Sequence, residues 1–180
     1  QGEWVHILHD DDVVLPGFYS HLREGVAKNP SVGAAFCRHI YTDEMGNQRW
    51  VSWLERETPG VLTDWLEQII VMCRLQASPI VVKRSIYESL GGFCPQAGAA
   101  SDWEMWKRIA VHYPIWYEPK PLACYRQHSS SDNSRLVKSG GLIADVRRSI
   151  EISQSYLPSN VADELSQKAK EHYAFYALNT

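Results

Sequence analysis

Trp4-Val5-His6-Ile7-Leu8-His9-Asp10-Asp11-Asp12-Val13-Val14-Leu15-Pro16-Gly17 passes from a short apolar stretch, through three successive carboxylates, to a proline-glycine pair. Residues 4–8 read as a strand, and Pro16-Gly17 reads as the turn that opens a helix. The aspartates therefore fall just beyond the carboxyl end of a strand, where an open α/β sheet presents its site. Close like charges in low dielectric repel by roughly several kcal/mol, so three adjacent carboxylates there call for a cation. Oxygen-rich clusters favour hard divalent ions such as Mg²⁺ or Mn²⁺. The competing reading is a helix N-cap with acidic neighbours, which explains one aspartate well and three poorly.

The surrounding chain sets the bounds. Its 180 residues suffice for a real core, and 44% hydrophobic with 22% charged residues is the balance of a globular protein. A net charge of −3 without a lysine or arginine block gives no footprint for nucleic acid. There is no apolar run of membrane-spanning length and no signal-peptide pattern at the start. Cys37, Cys73, Cys94 and Cys124 are widely spaced, which argues against a zinc site or disulfide framework and fits a reducing cytosol. Seven tryptophans are enough to fill a core and still leave a few to form a stacking surface for a sugar or a lipid headgroup. A chain that opens Gln-Gly-Glu and enters a strand within four residues reads as beginning in mid-domain, as a fragment of a longer protein.

Along the chain, Phe18, Leu22 and Val26 predict a helix over residues 16–28, ending at Asn29-Pro30. Residues 32–41 and 48–54 have strand character about a turn at 43–47, and 55–60 is a polar loop. Thr63 is positioned to cap a helix carrying Leu66, Ile69 and Ile70. Residues 77–82 form a short strand. Ser85 then caps a brief helix that stops at Gly91-Gly92, and a small-residue loop covers 93–100. An amphipathic helix at 102–112 precedes two proline-led strands, 115–118 and 122–126. A polar loop at 129–134 leads to two helices, about 142–156 and 160–178.

A second group of residues follows Gly91-Gly92-Phe93. Glycines let the backbone approach a ligand closely, and Asp102, at the first turn of a helix beside a small-residue loop, can face a cleft as a general base. N-capping, with Ser101 as a competitor, explains Asp102 equally well. Farther on, Arg126 suits phosphate, while His128 reads as a metal ligand, an anion donor or a plain surface residue.

Gly2-Glu3-Trp4-Val5, Leu8-His9-Asp10-Asp11-Asp12 and Leu15-Pro16 together resemble the DxD region of the family 2 glycosyltransferases, which have the GT-A fold. Leu90-Gly91-Gly92-Phe93 followed by Asp102-Trp103-Glu104 resembles that family's GGF segment and acceptor helix, and Tyr125-Arg126-Gln127-His128 its Tyr-Arg-x-His segment. The resemblance spans about residues 2–134. It implies an α/β fold: a partial GT-A, Rossmann-like mixed sheet flanked by helices, with residues 1–134 as the metal and acceptor half and 135–180 as a C-terminal helical extension. It also implies inverting transfer of a sugar from a nucleotide-diphosphate donor to the hydroxyl of a glycan, lipid-linked or other acceptor, using Mn²⁺ or Mg²⁺. Asp11 would ligate the metal and His128 complete its shell or touch the diphosphate. Asp10, Asp12, Gly91, Gly92 and Arg126 would contact the donor, and Asp102 would be the base. The setting would be cytoplasmic, or peripheral at the inner face of the membrane.

Three departures accompany the match. His9 stands where the family more often has the first Asp of DxD, and Ser101 replaces the usual Glu before Asp102. The family's N-terminal, nucleotide-binding half is missing, so this stretch alone is expected to be a poor catalyst. The alternatives are a non-catalytic carbohydrate-binding or scaffolding module of the same fold, and a metal-dependent phosphohydrolase, which gives the GGF segment and Tyr-Arg-x-His no role.

Overall fold

The segment Ala34-Ala35-Phe36-Cys37 forms the buried centre of a sheet, in a computed structural model that describes residues 2–129 and 131–179. The strands are β1 (Trp4–His6), β2 (Val13–Val14), β3 (Ala34–Thr42), β4 (Gln48–Val51), β5 (Gly60–Val61), β6 (Ile80–Lys83) and β7 (Ile115–Arg126). Their order is β1-β6-β3-β7-β2, with β4 added to β3 and β5 to β7. Among the described residues only β3 and β7 pair in parallel, and the other pairings are antiparallel. The chain is thus α/β with a mixed, curled sheet and flanking helices, the class expected.

The helices are α1 (Phe18–Lys28), α2 (Trp65–Val71), α3 (Arg84–Leu90), α4 (Ser101–His112), α5 (Asp132–Ser139), α6 (Gly141–Gln154) and α7 (Ala162–Asn179), with a 3-10 turn at Pro95–Ala100. The chain divides into two compact units built from non-contiguous segments. The first comprises Gln1–Thr63, Arg74–Gly91 and His112–His128, and holds the whole sheet with α1 and α3. The second comprises Asp64–Cys73, Gly92–Val111 and Ser129–Thr180, and is helical. Residues from 135 onward thus share their unit with α2 and most of α4.

In the first unit, α1 sets Phe18 and Leu22 against Ala35, Cys37, Val81 and Trp116. Full burial of one such side chain stabilises by about 1.5–3 kcal/mol, so this face holds the helix on the sheet. Gly25 makes the approach possible: a Cβ there would lie 2.3 Å from the Trp116 indole. In the second unit Ile70, Leu157, Ala162 and Leu165 form a separate core.

Several local expectations are corrected. Helix α1 starts at Phe18 rather than Pro16, because Gly17 takes φ 94° at its cap. Asp64, not Thr63, precedes α2, and its side chain makes no capping bond; α3 begins at Arg84, so Ser85 lies inside it. The two proline-led strands are one strand, β7: its register with β3 shifts around Pro119-Lys120-Pro121, the kind of irregular segment where a strand tolerates proline. The loop expected at 129–134 turns into α5 at Asp132, while Ser130 lies outside the described residues. Val13-Val14 pairs with Cys124-Ala123 as a strand that two residues alone do not announce.

Candidate metal centre

Beyond β1 the backbone turns on itself, Asp12 N–H donating to the His9 carbonyl at 3.2 Å, before β2 pairs with β7. That turn gathers one ligand atom each from His9, Asp11 and Asp12 within 4.8 Å of one another. His9 and Asp10 are exposed, Asp11 is half-buried and Asp12 is only 7% exposed.

The end of β7 holds this loop. Asp12 Oδ1 accepts the Arg126 backbone N–H at 2.8 Å. The Arg126 side chain donates through Nε to the Asp11 carbonyl at 2.9 Å and through Nη1 to the Glu44 carbonyl at 2.8 Å. His128 Nε2 meets Asp11 Oδ2 at 3.1 Å. Arg126 thereby braces two loops, and two of its donors point at carbonyls.

Asp12 Oδ2, by contrast, is buried and makes no hydrogen bond of ordinary distance and angle among the described residues, although the buried Ser78 hydroxyl is close enough to act on the carboxyl. Burial pushes the Asp12 carboxyl above the usual range, against the opposing pulls of the Arg126 N–H and the Ser78 hydroxyl; the Asp11 charge adds to the rise. A desolvated oxygen with an open lone pair is costly unless something positive sits against it. A hard divalent cation fits this set of carboxylate oxygens with one imidazole.

The other expected residues stand as follows. Gly91 closes α3 in the first unit with φ 81°, a backbone conformation that favours glycine. Gly92 and Asp102 belong to the second unit. There the Gly92 carbonyl accepts from Arg108 Nη2 at 2.8 Å, and Arg108 is paired with the buried Glu104 at 2.7 Å, which ties the glycine segment to α4. A Cβ on Gly92 would meet nothing within 4 Å. Asp102 sits within the first turn of α4, where a carboxylate favours the helix dipole, and its Oδ1 accepts the Trp103 N–H at 2.6 Å.

His9 joins Asp11 and Asp12 in the cluster, a place that the motif comparison left open. Its alternation with Asp11 was the available signal, because a tight turn brings such positions together. A separate cleft of about 820 Å³ in the first unit holds the buried Glu118, paired with His21 at 3.1 Å, and takes no residue from the acidic loop. No described helix is long and apolar enough to cross a membrane. No family model matches the chain, and a search of curated proteins gave no match either.

Proposed function

We propose that this chain carries the metal corner and acceptor half of a glycosyltransferase, moving a sugar from a nucleoside-diphosphate donor to an acceptor hydroxyl. The observation that supports this most is the convergence of His9, Asp11 and Asp12 around the buried Asp12 Oδ2, which makes no hydrogen bond of ordinary distance and angle. Asp11 and Asp12 would hold the cation with His9, while His128 orients the Asp11 carboxylate. A divalent ion held there neutralises negative charge on a departing diphosphate, so the leaving group needs no protein acid. Asp10, exposed at the turn, is free to reach the donor's ribose, and Arg126 keeps the loop in shape for it. Asp102 is the proposed base for the acceptor hydroxyl. Mn²⁺ or Mg²⁺ is the proposed cofactor and a cytoplasmic setting the proposed location; the four cysteines form no disulfide among the described residues, which fits that setting.

The test is a nucleotide-sugar panel with Mn²⁺ on the full-length protein, read as nucleotide release. Asp102→Asn is expected to retain Mn²⁺ and donor binding while lowering transfer at least 100-fold. Near-normal transfer by that variant would remove Asp102 from its role. Donor and metal binding with no transfer by any form of the protein would favour the non-catalytic carbohydrate-binding reading instead.

A further inference from the structure

Two buried oxygens of the first unit, Asp12 Oδ2 and Ser78 Oγ, make no hydrogen bond of ordinary distance and angle among the described residues. They belong to side chains that are near neighbours, since the Ser78 hydroxyl is close enough to act on the Asp12 carboxyl as a donor. Ser78 is fully buried. A hydroxyl out of reach of water and without a good partner costs stability relative to alanine, so its presence there calls for a reason.

The backbone that carries this hydroxyl is fixed from several sides. The Ser78 carbonyl meets His6 Nε2 at 2.9 Å, and the Pro79 carbonyl accepts the Cys37 N–H at 3.1 Å. Strand β6 then begins at Ile80 and pairs with both β1 and β3. A carbonyl only accepts, so the His6 proton lies on Nε2; burial lowers the His6 pKa and keeps the ring neutral, and Nδ1 accepts from the Tyr19 hydroxyl at 3.1 Å. The same ring stacks on Phe18 at 4.9 Å, which ties the arrangement to α1. The serine Cβ is therefore held by the sheet, while its hydroxyl is free to rotate.

An ionised carboxylate oxygen has two lone-pair directions, so Oδ2 can meet a cation along one and accept a hydroxyl along the other. One neutral hydroxyl does not offset a buried charge, so the need for a cation stays. What the hydroxyl adds is orientation. Asp12 Oδ1 already accepts the Arg126 N–H at 2.8 Å, and a donor at Oδ2 would fix the carboxylate at its other end. Ligating carboxylates are commonly held by such outer hydrogen bonds.

We propose that Ser78 is a positioning residue of the cation site: when a divalent ion binds, its hydroxyl donates to Asp12 Oδ2 and holds that carboxylate toward the ion. This rests on the metal reading of the acidic loop and is independent of sugar transfer.

The experiment is isothermal titration with MnCl₂ of wild type, Ser78→Ala and Ser78→Cys, joined to urea titrations in EDTA of wild type, Ser78→Ala, Asp12→Asn and the double variant. Ser78→Ala is expected to weaken Mn²⁺ binding about 10-fold, within the range for outer partners of metal ligands. Ser78→Cys fills the space of the serine with a poor donor and is expected to weaken it about fivefold or more. In EDTA, Ser78→Ala should lower the urea midpoint of wild type, and lower that of Asp12→Asn by less than half as much, because groups in contact do not act additively. Circular dichroism shows whether the variants fold; if Ser78→Ala does not, Ser78→Cys decides the titration. Wild-type Mn²⁺ affinity in Ser78→Ala or in Ser78→Cys overturns this proposal and leaves the metal reading standing. Equal midpoint shifts in the two backgrounds overturn it as well. A wild type that binds no Mn²⁺ sinks the metal reading, and the positioning role with it.

Discussion

His128 Nε2 lies 3.1 Å from Asp11 Oδ2, joining residues 117 positions apart in sequence at the mouth of the acidic loop. The imidazole either donates to the carboxylate and orients it, or turns to share the cation proposed there. Both arrangements raise metal affinity, because a ligand held in one rotamer loses less freedom on binding. His128→Ala is therefore expected to weaken Mn²⁺ binding by about 10-fold, within the range for outer partners of metal ligands, and Asp11→Ala to abolish it. Isothermal titration with MnCl₂ measures both. Equal affinity in wild type and His128→Ala would leave the histidine with no part in the site.

Asp12 sets stability against binding. Its buried carboxyl has a raised pKa, so between the unfolded value and the folded one the native state binds more protons and stability falls as pH rises. At neutral pH without metal, the desolvated charge is a cost that Asp12→Asn removes while leaving an oxygen to accept the Arg126 N–H. The variant should be more stable than wild type by about 1 kcal/mol in EDTA, and should lose the stabilisation that Mn²⁺ gives wild type. Urea titrations with and without Mn²⁺ decide it; a less stable variant in EDTA would mean that the carboxylate is satisfied without a cation.

How much of this was legible follows the physics of each signal. Phe18 and Leu22 announce α1 because helical spacing of apolar residues maps directly onto a buried face. The acidic run announces the loop where His9, Asp11 and Asp12 cluster, because adjacent carboxylates mark their own strand end. Strand β7 reads as two in the sequence because proline is a stop signal in isolation, whereas the register shift opposite Arg38 lets one strand pass through it. That Asp12 is the buried member of three identical neighbours depends on which one faces β7, a tertiary fact no local pattern carries. Lys107 is likewise invisible: a lysine between Trp106 and Arg108 reads as solvent-facing, yet it is fully buried.

Gly25 gives a direct test of the packing between α1 and the sheet. A methyl group there would overlap the Trp116 ring at 2.3–2.4 Å, and that indole is held in the core with Leu22 and Ala35. Although alanine favours helix over glycine by about 1 kcal/mol, overpacking costs about 1–3 kcal/mol, so Gly25→Ala should destabilise. Thermal melting followed by circular dichroism is the measurement. A higher melting temperature would show that α1 can slide to make room.

Lys107 supplies the pH dependence of the second unit. Its ammonium donates to the Ser149 carbonyl at 2.8 Å and to the Ser149 and Ser153 hydroxyls at 2.9 and 3.1 Å, and lies 3.9 Å from the Trp103 ring centre. Burial pulls its pKa down to about 7, outweighing the favourable charge of Glu104. The unfolded lysine holds its proton up to about 10.4, so between pH 7 and that value the unfolded state binds more protons and stability rises with pH. The slope is at most about 1.4 kcal/mol per pH unit for one group. Above pH 10 the buried tyrosines Tyr156 and Tyr173, whose pKa values are raised chiefly by burial, reverse the trend. Lys107→Met replaces the stem with a chain of similar length and removes the charge, so its stability should be flat between pH 7 and 9. Urea unfolding at both values, followed by tryptophan emission, compares the two proteins. A wild type no more stable at pH 9 than at pH 7 would mean that the three oxygen acceptors and the indole hold the ammonium as well as water does.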